Sequence, residues 1–201
     1  MPPVSVIPVR PPCAGRRPRS PTGAGRWCDR PLRWAGRPAG IITGCGGTAD
    51  GMAGIELRSA AFNDHAFLPD RYAKAGENVS PPLAWSGVPG DTAELLLLCE
   101  DPDAPTGTFL HWLVTGIDPL STGVDSGQTP PGGRPHTNGF GEEGWGGPQP
   151  PVGDDAHRYF FRLYALPESL PLSEGATADD VREAAERAAL ADGTLVGRYQ
   201  R

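Results

Sequence analysis

The sequence predicts a mainly β domain with one helix near the C-terminus. Three observations carry this. Two apolar runs, Leu95 to Cys99 and Phe109 to Val114, flank a short break rich in proline and aspartate. A third run, His157 to Leu166, alternates along its length. A single stretch, Thr177 to Asp192, keeps helical spacing of its apolar residues. Most of the rest is glycine, proline and polar turn material, which suits many short connections rather than long helices.

The strands follow from pattern. Leu95 to Cys99 shows no polar alternation, so it reads as a strand buried on both faces. It stops at Asp101-Pro102-Asp103, where proline removes a backbone donor. After a turn at Pro105-Thr106-Gly107 the chain is apolar again, apart from His111. Regular alternation puts Phe109, His111 and Leu113 on one face, with Leu110, Trp112 and Val114 on the other. In the third strand His157, Tyr159, Phe161 and Leu163 share a face, opposite Arg158, Phe160, Arg162 and Tyr164. Ile55 to Ser59 alternates as a half-exposed strand. Asn78-Val79-Ser80-Pro81-Pro82 forces an extended path into a short strand at Leu83 to Trp85.

Residues 119–156 read as one long loop, and such loops in compact domains are usually functional or disordered. Gly139 to Gly144 inside it matches GxGxxG. No strand leads in, no helix follows, and Glu142 and Glu143 would repel a pyrophosphate, so a dinucleotide site is rejected. In the last helix Thr177 is the expected N-cap, with Asp179 and Asp180 in the first turn. Val181, Ala184, Ala185 and Ala188 form the expected buried stripe. Gly193 closes the helix before a last strand, Thr194 to Tyr199.

Charge divides the chain. Residues 1–51 hold eight arginines, no lysine and two acids, for a formal charge of +6, and they are rich in proline and glycine. Such a segment cannot bury enough apolar surface to offset its ordering entropy, so it is expected to be disordered. Everything foldable starts at Met52, which suggests an upstream extension before the true start. Residues 52–201 carry a charge of −12, which argues against nucleic acid or an anionic membrane as the main partner. Cys13, Cys28, Cys45 and Cys99 form no CxxC pair, so a structural zinc site has no support, and although two histidines and an aspartate could bind a metal, no local ligand spacing supports one. A lone Cys99 in a strand reads as a free thiol and points to the cytoplasm. No stretch is long enough to span a membrane. Arg16-Arg17 and Ile42-Thr43-Gly44-Cys45 look like export signals but lack an apolar core, and are read as chance matches.

The chemistry-bearing constellation is two strand histidines, His111 and His157, two carboxylates, Asp101 and Asp103, and Tyr159. A histidine inside an apolar strand needs a partner. The plain alternative is a core histidine held by a backbone carbonyl. A carboxylate raises a histidine's pKa and burial lowers it; with two carboxylates in reach, the first is expected to win, at least once an anion is present. Two such imidazoles would donate to a small anion. No GxSxG, HExxH or P-loop is present. His65 and His136 fall in polar loops and read as solvated.

Asn78-Val79-Ser80-Pro81-Pro82-Leu83, Asp101-Pro102-Asp103-Ala104-Pro105, His111-Trp112, Gly147-Pro148-x-Pro150-Pro151-x-Gly153 and His157-Arg158-Tyr159 resemble the phosphatidylethanolamine-binding protein family. The nearest likeness is to its bacterial Raf-kinase-inhibitor-like branch. The likeness spans about Met52 to Arg201. It implies a β-sandwich of Greek-key type with short peripheral helices and an anion pocket. Carried over by motif, the pocket is Asp101, Asp103, His111, Pro150, Pro151, Gly153, His157 and Tyr159. Trp145 and Gln149 stand where bacterial members often have Tyr and Cys. The resemblance implies a ligand such as phosphate, a carboxylate or a phospholipid head group, with no cofactor and no catalytic residue. It leaves open a protein partner, such as an inhibited kinase or protease, a homodimer, and an acid–base enzyme using both histidines.

Overall fold

A computed structural model describes residues 54–173 and 175–201. The expected disorder of 1–51 and the start at Met52 lie outside those residues. The elements are β1 (Glu56–Arg58), a 3-10 turn (Asp70–Tyr72), β2 (Leu83–Ser86), β3 (Glu94–Asp101), β4 (Phe109–Ile117), β5 (Gly123–Val124), β6 (Arg134–Pro135), β7 (His157–Leu166), α1 (Ala178–Ala188) and β8 (Ala191–Tyr199). Two antiparallel sheets form, β1-β2-β5 and β6-β4-β3-β7-β8. After the β3–β4 hairpin the chain adds β5 to the small sheet and β6 to the edge. It then returns to lay β7 beside β3, the skip of a Greek-key path.

The core lies between the sheets. Leu57, Leu83, Trp85 and Val124 from the small sheet meet Leu95, Leu97, Cys99, Phe161 and Leu163 from the large one. On the far face of the large sheet, Leu96, Leu98, Leu113, Tyr164 and Leu166 pack against Val181 and Ala185 of α1. So β3 is covered on both faces, as its unbroken apolar run requires. Each of its four leucines is 0 % exposed, worth about 1.5–3 kcal/mol apiece.

Two expectations are corrected. The first is the face assignment in β4. Cys99 pairs with Trp112 but Glu100 pairs with Leu110, so His111 is an extra residue in a β-bulge. Alternation therefore breaks there. Trp112 joins the inter-sheet core, while Leu110 and Leu113 pack on the α1 side. A second irregularity lies between Leu95 and Leu97, opposite the stretch holding Gly116 at φ 67°.

The second correction concerns the helix end. Thr177 caps α1 as expected, in a reciprocal box with Asp180. Yet the helix stops at Ala188, where Ala189 turns extended and Leu190 donates its N–H to Ala165 O. Gly193 is inside β8, opposite Leu163. A Cβ there would stand 2.2 Å from Ile55 O, so the glycine serves the close approach of the β1 segment, not a helix cap. Of the expected stripe Val181 and Ala185 are buried, Ala184 and Ala188 are only half-buried, and Ala178 joins the buried face one turn earlier. The long loop 119–156 is largely irregular, but it contributes the two short strands β5 and β6.

Candidate functional site

The site forms where β3, β4 and β7 end together. Asp101 closes β3, His111 occupies the bulge of β4, and His157 opens β7. They line one cavity of about 170 Å³ with Ala104, Pro105, Thr106, Phe109, Phe140, Gln149, Pro150 and Pro151. Proline and aromatic rings make its walls, and the polar groups lie at its floor. Asp101 is 3 % exposed, His111 2 % and His157 6 %, so their partners decide their chemistry.

His157 donates from Nδ1 to Asp101 Oδ2 at 2.8 Å. The other carboxylate oxygen accepts the Asp103 N–H at 2.9 Å. Both Asp101 oxygens are thus engaged, and the His157 ring is locked with Nδ1 protonated. Its Nε2 faces away from Asp101, with Asp154 Oδ2 at 4.0 Å.

His111 is held differently. Its Nδ1 lies 2.6 Å from Gly146 O. A carbonyl only accepts, so Nδ1 must carry the hydrogen, and in the neutral ring Nε2 is a lone-pair acceptor. Burial pushes its pKa down to about 4, although the carbonyl and Asp101 work the other way. At His111 burial therefore outweighs the carboxylates, while the expectation that they win once an anion is bound concerns the complex. Desolvation wins because the bulge sinks the ring against Phe109, Phe140 and Tyr159, with centroids at 4.9, 5.8 and 5.1 Å. The carbonyl partner named as the plain alternative is present, yet the same residue lines the cavity.

The remaining sequence candidates separate. Tyr159 lies behind His111, fully buried, and its hydroxyl has no hydrogen-bond partner among the described residues. Burial, reinforced by Asp101, raises its pKa. Asp103 does not orient a histidine. It accepts the Nε and Nη2 hydrogens of Arg158 at 2.8 and 2.7 Å, and this pairing lowers its pKa. Gly153 is not in the wall; it sits at φ 94° and donates its N–H to Arg201 O. So Asp101, His111, Pro150, Pro151 and His157 converge on the cavity, Asp103 and Tyr159 contact those residues from outside it, and Gly153 is not among its lining.

The loop that carries Gly146 is fixed from outside. Asn78, itself at φ 55°, accepts the Gly147 N–H on Oδ1 at 2.8 Å, and Lys74 donates its backbone N–H to Pro148 O at 3.0 Å. A Cβ on Gly147 would meet Tyr72 O at 2.2 Å. Asn138, 5 % exposed, organises the preceding turn by accepting the Phe140 and Glu142 N–H groups and donating to Gly144 O. That turn presents Phe140 to the cavity, and Lys74 caps the ring at 4.6 Å. Asn138 and Phe140 were not singled out from sequence. An asparagine in a glycine-rich turn was the available signal, since its side chain closes turns on its own backbone.

Larger clefts lie elsewhere. One of about 700 Å³ runs along Leu83, Leu120 and Val124, and one of about 630 Å³ lies between Leu113, Arg134, His136 and Leu172. Neither brings a histidine onto a carboxylate. Among the described residues no three of His, Cys, Asp and Glu are grouped to hold a metal ion, and no helix is long and apolar enough to cross a membrane.

The family profile described as phosphatidylethanolamine-binding protein matches residues 58–200, and the chain belongs to that family. A protein of Methanothermobacter thermautotrophicus described as a UPF0098 protein is 47 % identical over 152 residues, covering 73 % of this chain and 99 % of its own. A Mycobacterium tuberculosis protein described as a lipoprotein candidate, LppC, is 43 % identical over 146 residues, covering 73 % and 72 %. The crystal structure of Escherichia coli YbcL, described as a member of the mammalian family, superposes with a TM-score of 0.68 at 28 % identity, covering 74 % of this chain and 99 % of that one. The Chlamydia trachomatis homologue CT736 gives 0.65 at 34 % identity, covering 74 % and 98 %.

Proposed function

We propose that this protein binds a small oxyanion, a phosphate or carboxylate group, in the cavity floored by Asp101, His111 and His157. The observation that carries the reading is the Asp101–His157 pair, buried at 2.8 Å with the ring's Nε2 free of Asp101. The carboxylate fixes the ring's orientation, so a hydrogen on Nε2 of the doubly protonated ring is a directed, charge-assisted donor. Proline and phenylalanine walls exclude water and strengthen that bond. A binding role rather than catalysis is supported by the lack of a positioned nucleophile. Among the described residues no hydroxyl or thiol hydrogen-bonds to either ring. A regulatory role of the Raf-kinase-inhibitor-like kind, with a protein partner at the surface loops or a second copy of the chain, belongs to the same reading and would use the bound anion as its signal.

Isothermal titration of the full chain with inorganic phosphate tests it. Removing the charged donor costs about 1.5–3 kcal/mol, so His157→Ala should weaken binding at least roughly tenfold. His65→Ala should bind normally, because His65 is exposed in a loop and pairs with Asp64. Normal binding by His157→Ala would refute the reading.

The cytoplasm is the compartment we infer. Cys99, free and fully buried, is compatible with it, but a thiol whose pKa burial raises is sealed from oxidants in any compartment. The description of the mycobacterial relative favours a second arrangement, an anchor on a lipid-modified Cys45. Cell fractionation with mass analysis of the Cys45 peptide separates the two.

A further inference from the structure

Resting on the oxyanion reading, we propose that the cavity selects an oxyanion that still carries its own hydroxyl hydrogen, a phosphomonoester in its monoanionic form, over a phosphodiester head group or a dianion. Two independent features lead here. The first is the polarity of the floor. His111 spends its ring hydrogen on Gly146 O, so the nitrogen left for a ligand, Nε2, accepts and does not donate. Nε2 has no protein partner among the described residues and, unlike the Tyr159 hydroxyl, is not sealed from the cavity. His157, the other histidine lining the cavity, has its Nδ1 hydrogen on Asp101, so in the doubly protonated ring its Nε2 donates. The cavity therefore asks for an acceptor and a donor on one small group. A P–O⁻ and a P–O–H on the same phosphorus meet both demands; a diester has no hydrogen to give, and a dianion has lost it.

The second feature is charge balance. The groups facing His111 are Asp101 from β3, and His157 and Tyr159 from β7. Gly146 presents a carbonyl, while Phe109, Phe140 and Trp145 present rings. Lys74 sits behind Phe140, paired with Glu142, and Asp154 stands beyond His157. A doubly protonated His157 beside Asp101 leaves the floor with no net positive charge, so every further charge on the ligand goes uncompensated. Burial holds His111 neutral, with a pKa of about 4, so it adds none above that pH. A monoanion fits this floor better than a dianion.

The test compares methyl phosphate with dimethyl phosphate on the full chain, by calorimetry at about pH 5 and about pH 8. A phosphomonoester loses its second proton near about pH 6. Dimethyl phosphate is a monoanion without a hydroxyl at both values. Both ligands meet the same His157 and Asp101, so the change in the ratio of affinities with pH follows the ligand's own hydrogen. The ratio should favour methyl phosphate by roughly tenfold or more at the lower pH and collapse toward one at the higher. A ratio that does not change with pH would mean size alone discriminates, and a ratio that grows with pH would mean the dianion is preferred; either overturns the proposal while the oxyanion reading stands. Glycerophosphoethanolamine, a diester with an ammonium donor, is a third arm. Binding as tight as methyl phosphate at about pH 5 would assign the donor to a lipid head group and overturn the proposal. Failure of every phosphate to bind at both values would remove the oxyanion reading itself. Nitrogen-15 spectra of the histidine rings give a separate readout, in which His111 should keep a protonated Nδ1 and a lone-pair Nε2 across the range. An imidazolium at His111 at about pH 5 would contradict the proposal directly.

Discussion

At the scale of single residues, the two cavity histidines are chemically opposite although both sit on apolar strands. His157 has a carboxylate and His111 a carbonyl. This difference has a consequence for stability. His111 in the folded chain has a pKa of about 4, below its ordinary 6.5, so the unfolded chain binds the proton more readily. The contribution is complete above about pH 6.5 and is lost as pH falls from there toward the folded value. The full effect is on the order of 3 kcal/mol. His111→Gln, which keeps an amide to donate to Gly146 O, should lack most of this acid sensitivity. Urea unfolding at about pH 7 and about pH 4.5 checks it: the difference in stability between wild type and variant should shift by about 2–3 kcal/mol in the variant's favour at the lower pH. An unchanged difference would mean that His111 charges freely in the fold.

At the scale of elements, α1 is tied to the sheet by a buried carboxylate as well as by its apolar stripe. Glu100, 3 % exposed, receives Arg162 Nε at 3.0 Å and Arg182 Nε at 3.4 Å, while Oε2 has no partner among the described residues. Burial raises its pKa, and the two arginines only partly oppose this. The folded chain thus holds this proton to higher pH than the unfolded chain, so this group's contribution to stability falls as pH rises upward from 4.5. Glu100→Gln should remove that slope, and the melting temperature of wild type relative to the variant should drop between about pH 4 and about pH 7. A parallel pair of curves would show that the arginines compensate Glu100 fully. Elements also show why legibility differed along the chain. β3 and β7 were readable because unbroken or strictly alternating patterns have one solution. The bulge in β4 was not, because the extra residue appears only when a partner strand fixes the register, and that bulge is what aims His111 at the cavity. Gly193 misled for a related reason: a glycine after a helical stretch can be a cap or a close approach, and only the position of Ile55 decides.

At the scale of the molecule, a sandwich of two antiparallel sheets brings three strand ends to one place, and a loop braced by Asn78 and Asn138 closes the cavity over them. The cavity residues Asp101, His111 and His157 were legible as polar residues on apolar strands, and the prolines through family resemblance. The Gly146 carbonyl, Phe109 and Phe140 were not, because a carbonyl's direction and a loop's return depend on contacts far apart in sequence. The family profile begins at residue 58, so we propose that the folding unit starts near Met52. A chain beginning there should melt within about 2 °C of the full chain, since a shift of several degrees corresponds to about 1 kcal/mol of added packing. The central claim, that the Asp101–His157 cavity is the oxyanion site, is tested most directly by following all four histidine rings of the full chain by proton–nitrogen NMR while titrating inorganic phosphate at about pH 6. The account predicts saturable shifts at His157 and His111, with His65 and His136 unmoved. Shifts confined to His136, in the cleft beside Arg134, or no shift at His157 at saturating phosphate, would contradict it.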